Sequence, residues 1–398
     1  MNNKKTLNID RRNKSEKRFV FFGKVAICFS IAFLIILFSL IFFQGHQAFW
    51  RTKIAITPSF DSSLQIDYRQ IIKDSLKSYA DSQNSIEEIN SLYLLVSKMS
   101  NIDLKEAINK NPKQSLYWIS ASSKVDIYIK YGQNHDLNPF QLKIIDELKR
   151  KNHIKTFFNW DFFKYGDSRE PEIAGILASL VGSLFSMLIF LLCAFPIGIM
   201  CAFYLEEFAG KNRFTDIIEI SINNLAGIPS IIYGLLGLTL YIQFMHLPRS
   251  STLVGGLTLF MLVLPIITIA TRNTIRSIPS SIRDAALAMG ASKIQLIWHH
   301  LLPLSIPGIM TGTILAISRA LGETAPLLMI GMVAFIVDTP TSFSDPASAL
   351  AVQIYLWSDL PEIGFVEKTA GAIIVLLTLL ILLNLTAIIL RKKFERKW

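Results

Sequence analysis

Six stretches of this sequence stay apolar for longer than a water-soluble core requires, and they limit the fold more than any other feature. They cover residues 19–43, 173–203, 217–245, 253–271, 309–337 and 369–390. A helix needs about 20 apolar residues to cross the hydrocarbon of a bilayer. Backbone groups in lipid must be satisfied within the segment, so each run is predicted to be a transmembrane helix. Composition agrees: 18% of the residues are charged, against about a quarter in soluble domains. The formal net charge of +10 does not mark a nucleic-acid binder. Its basic residues crowd the ends of the apolar runs and form no basic stripe interleaved with aromatics.

The first run follows a basic start that includes Arg11, Arg12, Lys14, Lys17 and Arg18. It exceeds the length of a signal-peptide core, and no small-residue cleavage site follows it, so it is read as an uncleaved anchor. Basic residues near span ends set orientation. Residues 1–18 then form a cytoplasmic tail, and six crossings return the basic C-terminal tail (Arg391, Lys392, Lys393, Arg396, Lys397) to the same side. The segment after the fourth span, with Arg272, Arg276, Arg283 and Lys293, also falls inside. The expected fold is an all-α integral membrane protein with both termini cytoplasmic. An anchor at 19–43 precedes an extracytoplasmic insert at 44–172 and a transmembrane core at 173–398.

The insert reads as a small mixed α/β domain. Ile86, Ile89, Leu92, Leu95 and Met99 recur at helical spacing. A second helix, capped by Asn101 or Asp103, is predicted to run through Ala107 and stop before Pro112. Asn138-Pro139 opens a further helix to about Lys151. Residues 115–120 and 125–129, β-branched and aromatic, are predicted strands. Two roles fit the insert: docking of a solute-binding protein or a regulatory contact, and simple packing. His135 and His153 have no companions at metal-ligand spacing, and Cys28, Cys193 and Cys201 lie in or beside apolar runs. No metal site and no catalytic constellation is expected.

The cytoplasmic segment 273–308 contains Arg283-Asp284-Ala285-Ala286-Leu287-Ala288-Met289-Gly290-Ala291-Ser292-Lys293, then Leu301-Leu302-Pro303. Small residues make a smooth helix surface, Gly290 permits a sharp turn, and Ser292 is placed to cap a second helix. The run E-A-A, three residues, G, nine residues, I-x-L-P is the coupling signature of binding-protein-dependent ABC permeases, and this segment resembles it with Asp284 in place of the first Glu. The resemblance implies that Asp284, Ala285, Ala286 and Gly290 dock on a separate ATP-binding subunit dimer. The chain has no phosphate-binding loop of the G-x-x-x-x-G-K-[ST] type, so ATP belongs to that partner and no cofactor is expected here.

The fifth run carries Arg319 and Glu323, four residues apart on one helix face. Charge within a membrane costs at least about 2.5–3.5 kcal/mol and by default marks a substrate route. Arginine suits an oxyanion because its planar fork donates parallel hydrogen bonds. A purely structural ion pair fits the residues equally well. The string Ser318-Arg319-Ala320-Leu321-Gly322-Glu323-Thr324-Ala325-Pro326-Leu327 resembles the signature of phosphate-specific ABC permeases of the A type. Residues 202–209 (AFYLEEFA) and 225–234 (LAGIPSIIYG) agree with it. The resemblance covers about 173–398. It implies a path for phosphate that involves Arg272, Arg319, Glu323 and Thr324, a second related permease subunit, and an extracytoplasmic phosphate-binding protein. Arg272 also reads as a positive-inside anchor. An importer of sulfate, molybdate or phosphonate is the nearest alternative, and a membrane-anchored sensor is a more distant one.

Overall fold

The computed structural model describes residues 2–58, 67–79, 86–112, 114–134, 136–210, 212–333 and 335–394. His135, Arg396 and Lys397 lie outside them. Helix α1 spans Asn2–Gly45, and its apolar part needs no partner along most of its length: Phe29, Phe33 and Ile36 are all exposed. Among its described side chains, the outer end is the part that packs, with Gly45 against Ala370 and Ile374, and Gly371 against Ala48.

A 3-10 turn then leads into the insert. Its helices are α2 (Tyr68–Lys77), α3 (Ile86–Ser91), α4 (Ser100–Lys110), α5 (Ser123–Tyr131), α6 (Pro139–Arg150) and α7 (Asp161–Lys164). Its strands are β1 (Trp50–Ile56), β2 (Tyr117–Ser120) and β3 (Ile154–Phe158), ordered β2-β1-β3. Both pairings are antiparallel, with Ile54 opposite Ile119 on one side and Ile154 on the other. Ile54, Ile72, Leu76, Leu95, Tyr117 and Ile145 anchor an apolar core that belongs to the insert alone. Helix α6 opens as its sequence predicts, with the Asn138 amide donating to Gln141 Oε1 at 2.9 Å. Asp103 caps nothing; it accepts from the Ser120 amide and ties α4 to β2. The strand predicted at 125–129 is corrected to helix α5. Gly132 in the left-handed region (φ +69°) ends that helix, and the helical turn puts Val125 on the core side, which overrides the β-propensity of the branched residues.

The core comprises α8 (Leu177–Phe203), α9 (Arg213–Ala226), α10 (Ser230–Gly237), α11 (Thr252–Ser277), α12 (Ser280–Ala288), α13 (Lys293–Leu296), α14 (Leu302–Leu321), α15 (Ala325–Met329), α16 (Leu350–Ser358) and α17 (Gly364–Phe394). π-helical segments extend α8 over Tyr204–Phe208 and α10 over Leu238–Phe244, and another joins α13 to α14 over Ile297–Leu301. Among the described residues, five helices have the length and apolarity to cross a membrane.

The sixth crossing is a broken one. Helix α9 and the Ser230–Phe244 helix meet at 104°, because Pro229 lacks an N–H and disfavours helix in the residue before it. The pair still traverses the bundle. Glu219 on α9 meets Arg276 at the cytoplasmic end of α11. At the other end, Ser250 bonds to Gly331 and Ser251 bridges Pro346. The fifth predicted span is corrected as well. Its helix is continuous from Lys293 to Leu321, stops at Gly322, resumes briefly as α15, and turns away at Gly331 (φ +93°).

Buried charges join the insert to the bundle. Lys130 of α5, 2% exposed, pairs with Asp126 at 2.7 Å and with Glu367 at the head of α17 at 2.9 Å. Arg51 pairs with Asp161 at 3.0 Å, and Lys368 Nζ donates to the Ala174 carbonyl. Phe162, Ile176, Trp357 and Phe365 fill the seam beside them.

Candidate functional site

Two interruptions of helix geometry flank the contact of α10 with α15. One is the 227–229 break between α9 and α10. The other is 322–324, between α14 and α15. Tyr233 closes the first from beneath: it is 2% exposed and its hydroxyl donates to the Leu225 carbonyl at 2.6 Å. One residue on, Gly234 lets Pro326 and Met329 of α15 come within a distance that a side chain would block. Discontinuous helices at membrane depth leave backbone groups free to line a polar cavity, a recurring arrangement in transporters.

Arg319 and Glu323 flank the second break. Arg319 Nε lies 3.5 Å from Glu323 Oε1, a long contact. The arginine side chain is 38% exposed in this single chain and the glutamate 16%. No other acidic partner lies within ion-pair distance of the guanidinium among the described residues, so most of its donors remain free. Beside it, Ser318 Oγ bonds Asn384 Oδ1 at 3.1 Å and fixes α14 to α17. Thr324 is half-buried and begins α15, its carbonyl accepting from the Leu328 amide.

Arg272 belongs to a different cluster. Its side chain is 5% exposed, with Nε 2.7 Å from Glu206 Oε1 and a second pairing to Glu219. Arg276 binds the same two carboxylates at 2.9 and 3.5 Å. Two arginines of α11 thus share two glutamates, one from the end of α8 and one from α9. The structure does not join Arg272 to the Arg319–Glu323 pair.

The 273–308 segment forms as its residues suggest. Helix α12 ends at Gly290 (φ +82°), where a residue with Cβ would be strained. Ser292 and Gln295 then make a reciprocal cap for α13. Asp284, Ala285 and Gly290 face outward, whereas Ala286 is buried with Ile275 and Leu301. Ile282, Ala285, Met289, Gln295 and His299 line an open groove of about 630 Å³. Arg283 anchors this hairpin to α8. Its guanidinium reaches Glu207 Oε1 at 2.9 Å and the Ile275 and Ile278 carbonyls at 2.8 Å. Lys293 donates to the Glu207 carbonyl at 3.1 Å.

Sequence reasoning had no role for Glu206, Glu207, Glu219, Tyr233 or Asn384. A signal existed for three of them: Glu206 and Glu207 close an apolar run, and Asn384 is a side-chain amide within another.

Comparison with known proteins adds identity to this geometry. A family model described as "Binding-protein-dependent transport system inner membrane component" matches residues 194–398. A domain of unknown function (DUF3333) matches residues 6–138. The chain is 30% identical over 232 residues to "Phosphate transport system permease protein PstA 1" of Mycobacterium tuberculosis, covering 58% of this chain and 75% of that one. It is 32% identical over 222 residues to "Phosphate transport system permease protein PstA" of Haemophilus influenzae, with coverage of 56% and 77%. Against "Probable ABC transporter permease protein YqgH" of Bacillus subtilis the identity is 28% over 323 residues, covering 78% of this chain and 99% of the relative.

Proposed function

The chain belongs to the family of binding-protein-dependent transport system inner membrane components, a multi-pass permease subunit of an ABC importer, and from that premise we propose that its cargo is inorganic phosphate. The observation that carries this reading is Arg319, whose guanidinium is held by one long contact at a helix break within the membrane. A phosphate oxyanion takes the free donors of the fork in the bidentate geometry that arginine favours. Glu323 keeps the charge oriented while the site is empty and repels the bound anion, which speeds its release. Thr324 lines the same break. The exposed side of Arg319 calls for a second, related permease subunit to close the path, with phosphate delivered by an extracytoplasmic phosphate-binding protein.

Arg272 acts at the cytoplasmic mouth. It is committed to Glu206 and Glu219 here, so it meets an anion only when α8 and α9 draw apart. ATP is hydrolysed on a separate ATP-binding dimer; the α12–α13 hairpin docks in a cleft of that partner, whose closure moves it. Asp284, Ala285 and Gly290 form the docking surface, and Ala286 sets the packing behind it.

The test is phosphate uptake, with ATP hydrolysis in parallel, by vesicles that contain all subunits and carry Arg319→Gln or Arg319→Lys. Uptake lost in the Gln variant with the complex still assembled is the expected result. Normal uptake by Arg319→Gln, or wild-type uptake of sulfate, molybdate or phosphonate in preference to phosphate, overturns the reading.

A further inference from the structure

The strand register of the insert shows which end of its sheet meets the membrane. β1 starts at Trp50, just beyond the outer end of α1, and rises to Ile56. β3 runs the opposite way, with Trp50 opposite Phe158 and Ile54 opposite Ile154. The membrane-proximal rung is therefore a pair of aromatic rings, 6.1 Å apart and edge to face. Phe158 also contacts Trp160 at 4.8 Å and stacks on Phe163 at 6.1 Å.

These rings continue inward through Phe49, Phe162 and Trp357 into the seam. Outward they are open. Trp50 is 46% exposed, Phe158 40% and Trp160 62%, and β3 is the edge of the sheet. Neither the Trp50 nor the Trp160 indole N–H has a hydrogen-bond partner among the described residues.

The surface of α1 indicates what covers this edge. In the last turns of α1, Phe42 and Phe43 are exposed, as are Phe38 and Leu40, on a helix of a membrane-spanning protein whose sides face acyl chains. The aromatic edge begins where that apolar surface ends, since one short 3-10 turn, His46–Phe49, joins Gly45 to Trp50. Tryptophan concentrates at this depth, where its ring contacts lipid and its N–H reaches polar headgroups.

We infer that the Trp50–Phe158–Trp160 edge is a lipid-binding surface, seated in the outer-leaflet headgroup region of a phospholipid bilayer, which fixes the insert on the membrane.

The test uses the full chain in phospholipid vesicles and reads tryptophan fluorescence. The difference between wild type and Trp160→Phe isolates the Trp160 emission, and Trp50→Phe does the same for its neighbour. Trp118→Phe provides a control, since Trp118 lies opposite Ala55, five residues up the strand from the base rung. Phospholipid brominated high on its acyl chains quenches the Trp160 and Trp50 emissions and spares Trp118, while aqueous iodide does the reverse. Quenching of Trp160 and Trp50 by iodide alone means that the edge faces water and overturns the inference. Quenching by neither agent means that protein covers it, and overturns it equally.

Discussion

Neutralising Glu206 is the most direct probe of the cytoplasmic ion cluster. Its carboxylate accepts from Arg272 Nε at 2.7 Å and Arg276 Nε at 2.9 Å, with only 13% of the side chain exposed. In Glu206→Gln the amide still accepts one bond, but the charge that Arg272 faces is halved and only Glu219 remains. A hydrogen bond to a charged group contributes about 1.5–3 kcal/mol, so weakening two predicts a loss of about 2–4 kcal/mol. That corresponds to a roughly 30- to 700-fold shift in the folded-to-unfolded ratio at 1.4 kcal/mol per decade. The full penalty for a stranded buried charge, about 3–5 kcal/mol, is not reached because Glu219 stays. Arg276→Gln is the internal control. Its side chain is 53% exposed, and an exposed pair contributes about 0–1 kcal/mol. Reversible unfolding in mixed micelles measures each variant and the Glu206→Gln/Arg272→Gln double variant. The cycle should return a coupling of about 1.5 kcal/mol or more. A coupling near zero, or an equal loss in Arg276→Gln, refutes the idea that Arg272 is held by Glu206.

Two further predictions concern other parts of the molecule. Burial pushes the Asp167 carboxyl above the usual carboxylate range, against the opposing pull of the Trp357 indole and Ser168 amide. The folded state therefore holds this proton more tightly than the unfolded state, and stability is greatest in acid and falls as pH rises from the ordinary value toward the raised one. Thermal unfolding against pH should show this slope in wild type and lose it in Asp167→Asn, where the indole keeps its acceptor; the same slope in both refutes the assignment. Gly308 of α14 lies so close to Thr274 of α11 that a methyl group would overlap its side chain. Gly308→Ala should cost about 1–3 kcal/mol through overpacking, and Thr274→Ala should restore part of that loss in unfolding measurements.

How far these features could be read from sequence varied with their physical signal. The spans of α1, α8, α11 and α17 were legible because long apolar runs have no other stable use. The breaks at 227–229 and 322–324 were only partly so: Pro229 marks a kink within an apolar run, but its 104° angle depends on how α10 packs on α15, and Gly322 alone does not announce the end of α14. β1 gave no alternation: Ala55 is as buried as Ile54 and Ile56, so the period-two pattern of a half-exposed strand is missing. Val125 and Ile127 did alternate, and pointed to a strand where the chain forms α5. Arg319 and Glu323 stood out as charges inside an apolar run, four residues apart. The partners of Arg272 did not, since Glu206 lies 66 positions away and pairing at that separation is set by how α8 packs on α11.

The contact of Gly45 with Ala370 and Ile374 has a consequence for biogenesis. It pairs the first of the spanning helices with the last. While the chain emerges from the ribosome, α1 enters the bilayer with no mate and waits through the synthesis of more than 300 residues before α17 arrives. The charged seam of Lys130 and Glu367 is incomplete for the same interval. A nascent chain arrested before Gly364 would hold an insert with its own apolar core but without Glu367, so the Lys130 seam can close only after α17 is made.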